Sequence, residues 1–222
     1  MFKNAYEGIK KIFTAEIIML IASIVTFVGA IVTITADSNA VKDALNNPNE
    51  ASITAGVAIL GIVAIAFGIC ALVAFILNLV GLVKARKDDA NFNTALMLTI
   101  AGIVVSILSS ILSKNENVVS FLNTGVELAY LLATMFIVYG IVSLAKQLKN
   151  TPVETKGNRL LKIIVIVQGI GIGARLLGAI FTVAKLNPVI PGIIGIIAAI
   201  LTVVYHLIYI SLLSDAKKML AK

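Results

Sequence analysis

Two ionisable residues stand inside long apolar runs of this chain, Glu127 and Arg175. A charge in bilayer hydrocarbon is costly, so such a residue generally marks a partner or a cavity. Counted at 1.5 Å per helical residue from the basic ends of their segments, Glu127 lies roughly 28 Å up and Arg175 roughly 22 Å up. The reach of an arginine side chain closes that gap, so an ion pair between neighbouring antiparallel helices is feasible. Two interpretations follow. The pair clamps two helices together, or it offers opposite charges to a bound solute.

Polar stripes accompany it. Asn123, Glu127, Tyr130 and Thr134 recur at spacings that share one helical face. Gln168 lies seven residues before Arg175, with Gly171 and Gly178 along the same stripe. Thr202, Tyr205, His206 and Tyr209 form a third polar face. From these stripes the candidate ligand-binding set is Glu127, Arg175, Asn123, Tyr130, Gln168, Tyr205 and His206. A lone histidine cannot build a histidine-rich metal site. As a proton relay His206 would need a carboxylate neighbour, and the sequence places none. The single cysteine, Cys70, has no partner for a disulfide in the chain and fits a packing role.

Familiar catalytic patterns are missing. There is no G-x-x-x-x-G-K-[ST], no H-E-x-x-H and no G-x-S-x-G. Gly169-Ile170-Gly171 resembles part of a dinucleotide loop but follows no strand and lies in an apolar run. Asp88 and Asp89, beside Lys84, Arg86 and Lys87, suit a solvated charged loop. No enzyme, catalytic residue, metal or cofactor is expected.

The elements that carry these residues follow from composition. Of 222 residues, 59% are apolar and 13% charged. Soluble domains are about half apolar and about a quarter charged, so a membrane environment is implied. Roughly 20 apolar residues cross a bilayer core of about 30 Å. Six such spans are predicted, at 17–35, 53–83, 95–112, 121–145, 160–184 and 190–213. The fold class is all-α, a polytopic membrane protein forming a single domain over 1–222. Residues 2–16 carry Phe2, Tyr6, Ile9 and Phe13 at helical spacing, which predicts an interfacial helix over 1–16. Glu7 and Glu16, and the lack of a cleavage pattern, argue against a signal peptide.

Orientation follows from Lys and Arg. Fourteen lie in the terminal segments and the connections after the second and fourth spans, against three in the opposite loops. Both termini are therefore expected in the cytoplasm, in a plasma membrane. The net charge of +7 is explained by these flanks, and nucleic acid is not an expected partner. The outer loop 36–52 is mildly acidic, and Pro188 and Pro191 suit a stiff turn over 186–192.

The odd spans share a pattern, as in 20–25, 99–104 and 166–171, and the even spans end alike before basic stretches. Three parallel hairpins, about 17–89, 90–157 and 158–222, are one reading, and chance likeness among Ile-, Ala- and Gly-rich helices is the other. Small residues four apart predict packing faces at Ala22-Thr26-Ala30, Gly102-Ser106-Ser110, Gly169-Gly173, Ala64-Gly68 and Gly195-Ala199.

In size, topology and the concentration of polar residues in spans four to six, the chain resembles the substrate-binding membrane subunits of energy-coupling-factor vitamin transporters. The resemblance involves no specific motif. The ladder Ala22-Thr26-Ala30 departs from that family's paired alanines, and few aromatics are present for a flat ring. The leading expectation is a solute-binding or transport subunit with a cavity among spans four to six. The rival is a scaffold or accessory subunit of a larger membrane complex. Lipid, a small solute, and a membrane protein partner or second copy are the expected partners.

Overall fold

The computed structural model describes the backbone of residues 2–35, 55–112, 116–183 and 189–221. Side chains are described for 2–22, 24, 61, 64–112, 118–119, 121–167 and 203–221. These residues form six helices: α1 Lys3–Thr35, α2 Ala55–Ala85, α3 Ala90–Ile111, α4 Glu116–Gln147, α5 Thr151–Val183 and α6 Val189–Leu220. No strand occurs among the described residues. Three stretches, Ala64–Ala85, Ala90–Ile111 and Phe121–Gln147, are long and apolar enough to cross a membrane.

Two predicted boundaries shift. Residues 2–16 lead without a break into α1, whose 33 residues span roughly 50 Å. Ile9 is fully buried and Tyr6 and Phe13 pack against the core, so the predicted interfacial stripe faces the bundle. Pro191 lies in the first turn of α6 rather than in a loop. A first-turn proline is tolerated because its missing N–H has no intrahelical acceptor there.

Each helix touches the next in sequence, and α6 returns to α1, which closes a ring. The most extensive contacts join α1 to α2 and α3 to α4. The third hairpin is less distinct, since α5 packs about as much on α4 as on α6. The core sits at the end of the ring where α1, α3 and α5 begin and α2, α4 and α6 end. Ile9, Leu82, Phe92, Leu144, Leu160 and Leu213 supply it, one from each helix. Away from that end burial falls off among the described residues, and only 17% of the most apolar window of α2 is buried. Ile65, Ile69, Ile107 and Phe121 are exposed there, as lipid-facing side chains would be.

The helix ends at the packed end are tied by specific bonds. Asp89, in extended conformation, accepts the Asn91 N–H at 2.8 Å and caps α3. Asp88 caps a different helix. It accepts the Ala5 N–H at 2.6 Å and the Asn4 side-chain amide at 3.0 Å, both in the first turn of α1. The aspartate pair expected to be merely solvated thus fastens two helix starts. At the next corner Lys149 adopts a positive φ of 54°. The N–H of Asn150 returns to Ala145 at 2.8 Å and that of Lys149 to Lys146 at 3.0 Å, which terminates α4. The Asn150 side chain then accepts from Val153 N–H at 3.2 Å and caps α5.

Close approach depends on glycines outside the predicted ladders. A methyl group on Gly8 would stand 2.5 Å from the Gly81 carbonyl oxygen, and one on Gly81 would stand 2.8 Å from that of Gly8. The α1 and α2 backbones therefore touch at this crossing. At Gly140 the Phe92 ring fills the space a side chain would need. Of the predicted faces, Ala22 and Gly102 are buried, the latter against Tyr130. Ala64, Gly68, Ser106 and Ser110 are instead exposed. Thr26, Ala30, Gly169, Gly173, Gly195 and Ala199 lie outside the described side chains.

Candidate functional site

Glu16 lies thirteen residues past the start of α1, and His206 fourteen before the end of α6. Both therefore stand roughly 20 Å above the packed end. His206 Nδ1 is 3.1 Å from Glu16 Oε2, and the side chains are only 18% and 14% exposed. A carboxylate and an imidazole so shielded stabilise each other, since either one alone would be stranded in a poor solvent. The same seam carries Lys217 Nζ 4.3 Å above the Phe13 ring, nearer the packed end. Tyr205 lies 5.2 Å from the imidazole and stacks on Tyr209 at 6.0 Å. Tyr209 is buried, and its hydroxyl has no hydrogen-bond partner among the described residues.

The Glu16–His206 pair borders a cavity of about 430 Å³. Asn78, Thr99, Tyr130 and Thr134 contribute its remaining polar groups. The room comes from Ala15, Ala71, Ala74 and Ala133, and Met19, Phe75 and Ile137 supply bulk to the walls. Two of the hydroxyls are already committed as donors. Thr99 gives its proton to the Ala95 carbonyl at 2.8 Å, and Thr134 to that of Tyr130 at 3.0 Å. What each threonine can still offer is oxygen lone pairs. With the Glu16 carboxylate they give the cavity acceptors, beside which the Asn78 amide and the Tyr130 hydroxyl can donate.

The cavity is built by α1, α2, α3, α4 and α6, whereas a site among the last three spans was predicted. No described residue of α5 lines it. Of the predicted residues, Tyr130 and His206 line the cavity and Tyr205 adjoins it. Asn123 lies nearer the start of α4, where its Oδ1 accepts the Ser109 hydroxyl at 2.9 Å and ties α3 to α4. Glu127 is exposed on α4 and has interactions of its own. Gln168 and Arg175 belong to α5, but their side chains, and with them the expected Glu127–Arg175 pair, lie outside the described residues.

Sequence reasoning missed Glu16 as a site residue, along with the convergence of Asn78 and Thr99. A signal for Glu16 did exist. Ile12, Ala15, Glu16 and Met19 share one helical stripe, and the stripe that buries Ile12 and Ala15 carries Glu16 inward with them. Searches against known protein families, curated proteins and solved structures find no match for the chain.

Proposed function

We propose that the chain crosses the plasma membrane six times with both termini in the cytoplasm, and that it binds a small solute in the Glu16–His206 cavity as a binding or transport subunit. The observation that carries this reading is a shielded carboxylate–imidazole pair on the wall of a cavity of about 430 Å³. Solute sites typically measure about 300–1,000 Å³, are mostly apolar and hold a few convergent polar groups. The placement of Lys and Arg at alternate connections supports the orientation. Catalysis, a cofactor and nucleic-acid binding are not part of the proposal.

Mass spectrometry of the protein purified in mild detergent tests the solute directly. A small molecule should co-purify with the wild type and be absent from Ala74→Phe, whose ring would fill the cavity. Identical extracts from both would remove the cavity from consideration. In a Cys70→Ser background, an impermeant maleimide added to intact cells should label Ser38→Cys and spare Lys87→Cys. The reverse pattern would invert the topology.

A scaffold or accessory subunit is the second reading, favoured by the position of the pair on the α1–α6 seam that closes the ring. As a clamp alone, Glu16→Leu with His206→Leu would be tolerated better than either change singly. No solute would then be found in the wild type.

A further inference from the structure

We propose that this cavity takes a small organic monocation, an ammonium group on an apolar body, with Glu16 as its counter-ion. The inference rests on the solute-binding reading above and specifies the charge of the solute. Among the described residues no Lys or Arg lines the cavity, and Glu16 is the one acid that does. That carboxylate is the acidic group the described wall offers a solute, beside its contact with His206. Low dielectric magnifies such a preference, because an anion here would stand beside the carboxylate in a poorly solvating site.

The neutral groups point the same way. Thr99 and Thr134 have donated their protons to their own helices and keep acceptor capacity, which on Thr134 is shared with the Tyr205 hydroxyl. Phe75 and Tyr130 add aromatic surface, which attracts cations and repels anions. Met19, Ile137 and the alanines match an apolar body. A neutral solute would gain from the walls but leave the carboxylate with His206 as its partner, and a dication would exceed the one acid described there.

The test compares three probes of similar shape on the full-length protein in phosphatidylcholine nanodiscs, with empty nanodiscs subtracted. Benzyltrimethylammonium is the cation, neopentylbenzene its neutral isostere, and benzylsulfonate the anion. Saturation-transfer NMR and equilibrium dialysis give the affinities. The cation should bind at least tenfold more tightly than either other probe, and Glu16→Gln should lose at least tenfold for the cation alone. Circular dichroism reports whether that variant folds, and the wild-type ranking stands without it. Equal or tighter binding of the neutral or anionic probe overturns the proposal. So does unchanged cation binding in folded Glu16→Gln. If none of the three binds, the charge assignment falls, while the co-purification experiment decides the solute-binding reading separately.

Discussion

Asp88 holds the first turn of a helix that begins more than eighty residues earlier, its Oδ2 accepting the Ala5 N–H at 2.6 Å. A helix start exposes four N–H groups without intrahelical acceptors, and the partial positive charge there favours a carboxylate. Asp88→Ala should therefore lower stability by about 1–2 kcal/mol. Chemical unfolding in detergent, followed by circular dichroism, measures the change. A loss below about 0.3 kcal/mol would mean that water serves the α1 terminus equally well.

The α1–α2 crossing should be the least tolerant position in the packed end. Gly8→Ala places a methyl against the Gly81 carbonyl and the Ala85 side chain, and Gly81→Ala meets Ile12 and the Gly8 carbonyl. Either change forces the helices apart and should cost about 1–3 kcal/mol. Gly68→Ala meets nothing within 4 Å. It should be neutral or gain up to about 1 kcal/mol from helix propensity. Thermal melts of the three variants side by side give the comparison, and equal melting points would refute the contact.

At the α4–α5 corner, Lys149 occupies the left-handed conformation that glycine adopts without strain. Lys149→Gly should raise stability by about 0.5–1 kcal/mol. A decrease in melting temperature would show that the lysine side chain contributes more than its backbone strain costs.

The Tyr209 hydroxyl is buried without a partner among the described residues, so Tyr209→Phe removes an unsatisfied group there and keeps the ring stacked on Tyr205. The variant should be as stable as the wild type or more stable by about 1 kcal/mol. A clear loss in the same unfolding assay would reveal a partner for the hydroxyl in the membrane-embedded protein.

Much of the fold is legible in sequence, because apolar run length and polar breaks act locally. The helices coincide with the six predicted segments and mostly extend past them at the packed end. Extension is harder to foresee, since Ile9 and Leu213 are buried by helices that meet beyond the purely apolar stretches. The Asp89 cap follows from its place before a helix, whereas Asp88 caps α1 only because the ring brings residue 5 alongside. Among the site residues, Tyr130 and His206 were visible as polar groups in apolar helices. Glu16 was obscured by its charged neighbours Lys10 and Lys11, which make the start of α1 look like a flank. Its meeting with His206 spans 190 residues and depends on α6 returning to α1, a relation that periodicity does not encode.

The described ties of the ring gather at one end. Backbone contact at Gly8 and Gly81, the two aspartate caps and the glycine-lined Phe92 seat all lie at the packed end, where rotation meets close-packed atoms. Glu16 and His206 stand roughly 20 Å along the shafts from it, so their contact carries the α1–α6 seam well beyond those ties.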